Sequence, residues 1–318
     1  MYLGVGRMTR SVIVTGGSGF VGRQAIPHLI ARGFVVHILA RSQSADRLER
    51  AGEQHRECVQ HHSVDIHDSE NVDQIVKSIC PSHLLHLAWD MRHGVFWSSA
   101  DNLDWIVSSK LLLNSFIEAG GKRVVAVGSC AEYDWATSDD FLCETASKMN
   151  PITLFGQSKL AARKSLLTVA KHHNVSAAWA RLFFLFGPHE GCQRLVPSAT
   201  RALLRGEPFE ASVGDQLRDF AFVGDVAAAL VRLLDSDVQG DINVASGEPR
   251  SVASILGTIG ALTERPELLR LGAKPKVPND PPRLVASIER LRREVSWDVP
   301  CSLNERLRQT VDWWRERG

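Results

Sequence analysis

The amino-acid sequence predicts an α/β protein in which a doubly wound parallel sheet is joined to a smaller mixed C-terminal lobe. Apolar, β-branched runs alternate with amphipathic helical patterns from residue 11 to about residue 185. A glycine-rich turn, "TGGSGFVG" at 15–22, separates the first apolar run from the first helix. Alternating strands and helices form a parallel sheet covered on both faces, which binds ligands at the carboxyl ends of its strands.

The predicted elements follow one another in a regular order. Residues 11–42 form an apolar run, a glycine turn, an amphipathic helix and a second apolar run, which is one βαβ unit. The later strands are predicted at 61–65, 83–88, 123–128 and 175–183, and the later helices near 69–79, 101–119 and 155–173. Beyond residue 185 strands and helices no longer alternate regularly. This part contains a proline-rich connection at 274–283 and a terminal helix within 302–317.

These elements predict a division into domains. Residues 1–10 are expected to be a disordered extension, and residues 11–185 to form a dinucleotide-binding domain to which 217–246 return. Residues 186–216 and 247–318 are expected to form a smaller substrate-binding lobe.

Composition and charge limit the classes of partner. The chain has 318 residues, 44% hydrophobic and 23% charged, and its 37 basic residues nearly balance 36 acidic ones. Without an excess of charge, binding to nucleic acid or to a membrane surface is not expected. No apolar run is long enough to span a bilayer, and the first ten residues lack the apolar core of a secretion signal.

The cysteines are expected to be reduced thiols, as in a cytoplasmic protein. They are scattered, with no Cys-x-x-Cys pair and no histidine cluster at metal-ligand spacing. We therefore predict no metal site. The six are Cys58, Cys80, Cys130, Cys143, Cys192 and Cys301.

The glycine turn predicts a dinucleotide site. Glycines at the end of a first strand let backbone N–H groups approach a pyrophosphate at the positive end of a helix. The predicted residues of the turn are Gly16, Gly19, Phe20, Val21 and Gly22. Asp65 and Ile66 after the third strand, and Leu87 and Ala88 after the fourth, complete the predicted cofactor-binding set. A helix N-cap role for the stretch around Asp65 is an equally good interpretation.

The end of the second strand favours NADP over NAD. An acidic residue there usually accepts hydrogen bonds from the ribose hydroxyls of NAD, but this sequence has Ala40 followed by Arg41 and Ser42. An arginine beside a hydroxyl suits a 2′-phosphate. The alternatives are NAD as the cofactor and Arg41 as a solvated strand-end residue.

Seven motifs in order resemble the extended short-chain dehydrogenase/reductase superfamily, specifically the NAD-dependent epimerase/dehydratase group that acts on nucleotide sugars. They are "TGGSGFVG", "HLAW", "GSCAEYDW", "PITLFGQSK", "RLFFLFGPHE", "RDFAFVGDVAAAL" and "INVASGE". The resemblance covers residues 11–316. It implies a Rossmann domain, a small lobe that binds the nucleotide part of a nucleotide-sugar substrate, and a homodimer formed through two helices per subunit.

The resemblance also implies the catalytic positions. The family uses a serine or threonine, a tyrosine and a lysine around a sugar carbonyl and the nicotinamide. Ser129 matches the first and Lys159 the last, and Lys159 would also hold the nicotinamide ribose. The tyrosine position is Phe155, which has no hydroxyl to donate a proton.

Other phenols and acids are few. Tyr133 is the only tyrosine besides Tyr2, which falls in the terminal extension. In the family, a tyrosine at that place lines the substrate side, so Tyr133 is a candidate for both catalysis and substrate binding, with structural packing as the alternative. Glu132 is another possible acid, or a solvated or hydrogen-bonded carboxylate.

Further positions bear on the substrate. Family members that dehydrate sugars carry an Asp-Glu pair where this chain has Cys130 and Ala131, so a dehydratase is disfavoured. Phe184 replaces the asparagine that touches the sugar diphosphate. Arg218 is the main candidate for the diphosphate, with Arg194 and Arg283 as weaker ones that could equally be surface salt-bridge partners.

The resemblance favours an NAD(P)H-dependent reductase of a nucleotide-activated 4-keto-6-deoxy sugar, in deoxysugar biosynthesis. The alternatives are a nucleotide-sugar C4 epimerase and, in another class, a catalytically silent NADP-binding sensor. Phe155 itself has three open interpretations. It is an introduced Tyr-to-Phe exchange, a natural residue with another proton donor, or a mark of a sensor.

Overall fold

The structure, a computed structural model, describes residues 10–41, 58–136 and 139–318. A sheet of seven parallel strands forms its centre, with the order β10-β6-β5-β4-β1-β2-β3. These strands are β1 Arg10–Thr15, β2 Phe34–Ala40, β3 Val59–Ser63, β4 His83–His86, β5 Arg123–Ser129, β6 Ser176–Leu182 and β10 Gly240–Val244. Residues 1–9 of the expected terminal extension lie outside the described residues, whereas Arg10 begins β1.

Helices cover both faces of this sheet. On one face lie α1 Gly22–Ala31 and α6 Val223–Leu234, and on the other lie α2 Ser69–Ile79, α3 Asp101–Glu118 and α4 Leu154–His172. Successive side chains of a strand point to opposite faces. Val12 and Val14 of β1 therefore join the core with α1 and α6, while Ile13 joins the core with α2, α3 and α4.

A smaller mixed lobe adjoins one end of the sheet. Its strands are β7 Phe184–Phe186, β9 Leu217–Phe222, β11 Pro249–Ser251 and β13 Arg283–Leu284, with β9 antiparallel to β11 and parallel to β7 and β13. A separate pair joins β8 Phe209–Ala211 and β12 Leu269–Leu271. The helices are α5 Leu195–Leu204, α7 Val252–Leu262, α8 Glu289–Arg293 and α9 Leu303–Arg315. The predicted fold class is confirmed.

The element boundaries explain where the predictions shifted. The third strand is Val59–Ser63 instead of 61–65, so Asp65 lies in the turn beyond it. Within 217–246, α6 and β10 belong to the large layer, whereas β9 pairs only with strands of the smaller sheet. The domain division remains a prediction. In the described part of the chain, no helix has both the length and the apolarity needed to cross a membrane.

Candidate active site

The glycine turn brings the first helix close to the ends of β1 and β4. Gly16 has a φ of +70°, and a Cβ there would lie 2.9 Å from the backbone nitrogen of Ala88, so only glycine fits. Val21, the N-cap of α1, makes no capping bond through its side chain, and the first turn of the helix carries no acidic residue. No side-chain cap and no carboxylate of the first turn therefore neutralise the positive end of the α1 dipole, and a dinucleotide pyrophosphate fits this turn.

The end of β4 is fixed to β1 by a buried polar chain that the sequence did not reveal. Thr15 Oγ1 lies 2.7 Å from His86 Nδ1 and accepts from the backbone N–H of Ala88 at 3.2 Å. His86 Nε2 lies 2.8 Å from the hydroxyl of Ser109 on α3. Burial, reinforced by nearby Lys159, lowers the pKa of His86 to about 3. A neutral imidazole thus holds the strand ends together.

Arg41 and Asp65 lie at the other end of the predicted cofactor site. Arg41 is exposed at the end of β2, while Ser42 lies outside the described residues. Asp65 is exposed, and its Oδ1 accepts from the backbone N–H of His67 at 3.0 Å. This stretch does supply the N-cap of α2, but through Asp68 and not through Asp65.

The remaining residues of the cofactor set border the same turn. The backbone N–H of Leu87 donates to Thr15 O at 3.2 Å. Phe20 and Ile66 are half-buried. The structure therefore places most of the predicted cofactor residues along the carboxyl ends of β1, β3 and β4.

Ser129 lies at the end of β5, where it begins a 3-10 turn, Cys130–Glu132. Its Oγ accepts from the backbone N–H of Ala131 at 3.2 Å, and its side chain is half-buried. The neighbouring Cys130 is buried, which raises the pKa of its thiol to about 12. A thiol with this pKa stays protonated, so Cys130 does not supply a thiolate at neutral pH.

Glu132 belongs to the buried structure behind this turn. Its carboxylate accepts from Ser129 N at 2.8 Å and from Trp179 Nε1 and Arg181 Nε, both at 2.9 Å. The side chains of Glu132 and Arg181 are both 0% exposed. These contacts support the interpretation of Glu132 as a hydrogen-bond acceptor. Because its carboxylate oxygens are already bonded, Glu132 is a poor candidate for the catalytic acid.

Phe155, at the start of α4, is enclosed by aromatic side chains. Thr153 caps the helix by accepting from Gly156 N–H, and the Phe155 ring is only 2% exposed. Its edge-to-face neighbours are Phe96, Trp97 and Trp89, with ring centroids at 5.0, 5.7 and 6.4 Å. An apolar ring is well accommodated by this enclosure.

Lys159 lies one turn further along α4. Its Nζ donates to Val127 O at 3.0 Å and lies 3.7 Å from the centroid of the Trp89 ring and 6.0 Å from that of Phe155. Burial, partly opposed by the charge of Glu132, lowers the pKa of Lys159 to about 7.

A close helix-to-turn contact joins these residues into one site. A Cβ at Gly156 would lie 2.2 Å from the backbone oxygen of Ala131, so glycine is required where α4 passes the 3-10 turn. The same helix carries Phe155 and Lys159, and the same turn begins at Ser129. The structure therefore brings Ser129, Phe155 and Lys159 together.

Tyr133 is not part of that group. It is 0% exposed, its hydroxyl donates to Asn243 Oδ1 at 2.8 Å, and its ring lies 5.0 Å from the guanidinium of Arg181. Burial raises the pKa of its phenol above the ordinary value. These contacts support the packing interpretation and explain why this phenol does not replace the one missing at 155.

Arg218 on β9 and Phe184 on β7 lie side by side on paired strands of the smaller sheet. The Arg218 guanidinium is 5.4 Å from the Phe184 ring centroid and donates to Asp280 Oδ1 at 2.6 Å. Only 4% of Arg218 is exposed, and burial lowers its pKa, with Asp280 opposing that effect. Arg218 lies near the Ser129 turn, since its charge lowers the pKa of Cys130. A buried cation at this place suits an anionic substrate group.

The two weaker arginine candidates lie apart from each other. Arg283 donates to the backbone oxygen of Asp140, and its guanidinium lies 5.1 Å from the ring of the exposed Phe141. Arg194 instead lies 5.2 Å from the Phe96 ring and donates to Met91 O at 3.3 Å. Arg194 thus borders the aromatic enclosure of Phe155, and Arg283 holds a surface segment.

The aromatic enclosure was missed from the sequence. Trp89 belongs to the motif "HLAW", and Phe96 and Trp97 form an aromatic pair in the irregular segment that follows. A pair of large aromatics in a connection beyond a central strand could have signalled a covered site.

Comparison with known proteins decides the family. A sequence profile described as "NAD dependent epimerase/dehydratase family" matches residues 12–245. The chain belongs to this family. Its members of known activity include nucleotide-sugar epimerases and reductases, so the resemblance drawn from the motifs is confirmed.

Two curated relatives in the epimerase/dehydratase family differ in activity. The dTDP-4-dehydro-6-deoxy-D-allose reductase of a Streptomyces species is 28% identical over 324 residues, covering 96% of this chain and 96% of the relative. UDP-glucuronic acid decarboxylase 1 of Arabidopsis thaliana is 23% identical over 329 residues, covering 99% of this chain and 72% of the relative. The family match supports an enzyme without fixing its reaction.

A solved structure of this family shares the fold. The UDP-glucose 4-epimerase of Thermus thermophilus, in complex with NAD, is 22% identical with a TM-score of 0.80. The likeness covers 96% of this chain and 99% of that one. At this identity the likeness shows the fold alone.

Proposed function

We propose that the protein is an NADPH-dependent reductase of a nucleotide-activated 4-keto-6-deoxy sugar. The observation that carries this proposal is the grouping of Ser129 and Lys159 around a residue 155 that is enclosed by aromatic rings and has no hydroxyl. A C4 epimerase must first take a proton from a sugar alcohol and later return it. A reductase needs only a donor, so the loss of the phenol is less damaging to reduction.

The cofactor would lie along the carboxyl ends of the strands. The turn at Gly16, Gly19 and Gly22 and the uncapped end of α1 would hold the pyrophosphate, and Lys159 the nicotinamide ribose. Bound NADPH supplies a hydride. The exposed Arg41 would meet the 2′-phosphate, which supports NADP, although the family comparison includes a structure that holds NAD.

Ser129 would polarise the sugar carbonyl. Its oxygen already accepts from Ala131 N–H, which leaves the hydroxyl proton to donate to the carbonyl oxygen. Lys159 would add positive charge where negative charge develops on that oxygen, and its burial strengthens this effect.

The aromatic enclosure supports a deoxygenated sugar. Phe155 and Phe96 present buried apolar surface, and Trp97 is 39% exposed beside them. A sugar hydroxyl placed against these rings would lose its hydrogen bonds, whereas a 6-deoxy carbon would not. The reductase of the Streptomyces relative acts on a sugar of this kind, as its name states.

Arg218 would bind the diphosphate of the substrate. In the ligand-free chain it is paired with Asp280, which is itself partly exposed and can yield to an anionic ligand. Phe184, stacked beside Arg218, would leave the diphosphate without the usual amide contact. Arg194 would border the sugar, whereas the contacts of Arg283 support a structural role.

A homodimer is also proposed. Leu103, Val107 and Leu111 are 52%, 57% and 38% exposed and lie four residues apart on α3. This spacing forms one apolar stripe, and packing against the same stripe of a second copy would remove it from water. The proposed location is the cytoplasm, because all six cysteines are unpaired.

The test is a substrate comparison. Purified protein is given NADPH or NADH with dTDP- and UDP-4-keto-6-deoxyglucose, and NADPH oxidation and the sugar product are measured. Reduction of a 4-keto-6-deoxy sugar is expected. Interconversion of UDP-glucose and UDP-galactose by tightly bound NAD would instead favour the epimerase, and NADPH binding with no turnover of any nucleotide sugar would favour the sensor.

A further inference from the structure

Glu190 is a buried acid in the loop between β7 and α5 that has no role in the mechanism above. Only 9% of the residue is exposed. In the described part of the chain, its Oε2 has no hydrogen-bond partner, while its carboxylate takes a hydrogen bond from the backbone of Gly187. A buried carboxylate oxygen without a partner is unfavourable in the ionised form and favours the neutral acid.

One side of Glu190 is fixed to the cofactor turn. The preceding residue, His189, has a φ of +71°, which is strained for a residue with a side chain. Its Nδ1 lies 2.7 Å from an Nη of Arg23, and Arg23 donates to Ser18 O in the glycine turn at 2.9 Å. The loop is therefore held beside the place proposed for the pyrophosphate.

The other side of Glu190 is fixed to the aromatic enclosure. Arg194, four residues later, interacts electrostatically with Glu190 and lies 5.2 Å from the Phe96 ring. Phe96 in turn contacts Phe155 with ring centroids 5.0 Å apart. Glu190 thus lies on a segment that spans from the cofactor turn to the residue where the family has its phenol.

Burial and nearby arginines determine the protonation of Glu190 and of its neighbour His189. Burial raises the pKa of Glu190 to about 8, and the positive charge of Arg194 opposes that rise. Burial and the positive charges of Arg23 and Arg317 lower the pKa of His189 to about 4, so its imidazole is neutral at pH 7. At that pH the carboxyl group carries a proton that it can give away.

We propose that Glu190 donates the proton to the sugar carbonyl oxygen, in place of the phenol absent from position 155. This inference rests on the proposed reductase function. The carbonyl carbon gains the hydride and both electrons from reduced cofactor, and the oxygen gains the carboxyl proton, which gives an alcohol. Glu190 is left ionised beside Arg194 and takes its next proton from water.

The kinetic test compares the isosteric variant Glu190→Gln with wild type. The variant should lower kcat by ~10²–10⁴ with little change in KM, the usual range for loss of a general acid. In wild type kcat should fall in two steps, near pH 7 as Lys159 loses its charge and near pH 8 as Glu190 ionises, and only the second step should vanish in the variant. Adding Phe155→Tyr to Glu190→Gln should restore much of kcat, which a purely structural role of Glu190 does not predict.

A readout without turnover uses cofactor-free protein. Carboxyl signals of ¹³C-labelled glutamate, followed by NMR, should show a group that titrates near pH 8 in wild type and is absent from Glu190→Gln. Glu144→Gln is the matched control, because Glu144 is a buried carboxyl in another part of the fold. The Glu144→Gln variant should keep the carboxyl signal that titrates near pH 8.

The outcomes separate the two proposals. If wild type reduces a 4-keto sugar and Glu190→Gln keeps its kcat and its pH profile, the role of Glu190 is overturned while the reductase function stands. If neither wild type nor Phe155→Tyr turns over any nucleotide sugar, both proposals fail.

Discussion

The Nζ of Lys159 lies 3.7 Å from the centroid of the Trp89 indole ring and donates a hydrogen bond to Val127 O at 3.0 Å. A cation over an aromatic face is stabilised by the ring quadrupole. That contact does not replace the lost hydration, since burial still lowers the pKa of Lys159 to about 7. Burying the ammonium group of Lys159 therefore lowers the stability of the folded protein.

Lys159→Met should therefore stabilise the protein most at low pH. The lysine pKa is about 7 in the folded chain and 10.5 as its reference value, so the unfolded chain binds more protons between these pH values. Stability of wild type then rises with pH across that window. We expect Lys159→Met to raise Tm by about 2–6 °C at pH 6.5 and by less at pH 9.5.

Differential scanning calorimetry at both pH values measures this difference. Lys164→Met, an exposed lysine of the same helix, is the control and should change Tm little at either pH. An equal rise in Tm for Lys159→Met at both pH values would contradict the inference that burial of the charged ammonium group destabilises the folded protein.

Phe155→Tyr should raise the reductase rate. The Phe155 ring lies 6.0 Å from Lys159 Nζ, so a phenol there would lie near the cation that favours its ionised form. We expect kcat to rise about tenfold, less than the full contribution of a general acid, because Glu190 is proposed to donate the proton in wild type. Steady-state kinetics with a 4-keto-6-deoxy substrate measures it.

The added oxygen also enters an aromatic enclosure. An unsatisfied hydroxyl there would lower the free energy of unfolding by about 1–3 kcal/mol, so a stable but slow variant is informative. A normally folded Phe155→Tyr protein that binds substrate without any gain in kcat would argue against a missing phenol.

Arg41→Ala should separate the two cofactors. Only NADPH carries the 2′-phosphate that the exposed Arg41 would meet, so its Kd should rise by at least about tenfold, the equivalent of one charge-assisted hydrogen bond. The Kd for NADH should change little.

Isothermal titration calorimetry gives the ratio of the Kd of the variant to that of wild type, once for NADPH and once for NADH. Arg308→Ala removes an exposed arginine of α9 and serves as the charge-matched control. Equal weakening of both nucleotides by Arg41→Ala would mean that Arg41 acts on something other than the 2′-phosphate.

Glu132→Gln should destabilise the fold strongly. Its carboxylate and the Arg181 guanidinium are both 0% exposed and lie 2.9 Å apart. Removing Glu132 takes away one of the two carboxylates that pair with the buried Arg181, and breaking a buried ion pair typically lowers the free energy of unfolding by about 3–5 kcal/mol. Urea denaturation measures the loss, and a change below about 1 kcal/mol would show that Asp241, the other partner of Arg181, is sufficient.

Val107→Glu should dissociate the proposed dimer. The substitution places a charge in the centre of the exposed apolar stripe of α3, where it would be desolvated in a dimer. Sedimentation equilibrium should report a monomer. Lys164→Glu on α4 is the control, and wild type that is already monomeric would reject the proposed interface.

Much of the architecture followed from local patterns, and the exceptions have physical reasons. The strand and helix order was predictable because period-two and helical spacing are properties of short segments. The sequence did not identify Asp68 as the N-cap of α2, because the residue that caps a helix depends on the turn that the chain makes after β3. Tyr133 and Glu132 could not be placed, because whether a side chain faces the ligand or the core depends on distant partners such as Asn243 and Arg181.

By itself, the sequence determined the fold class, the family, the glycine turn and the pairing of Ser129 with Lys159 around a residue without a hydroxyl. These features could be predicted because each depends on a short motif of neighbouring residues and on the spacing within it. Only the tertiary structure decided that Phe155 is enclosed by Phe96, Trp97 and Trp89, and that Glu190 is a buried acid held between the cofactor turn and that enclosure. Burial and unpaired polar atoms arise from contacts between segments far apart in the chain, so no local pattern contains them.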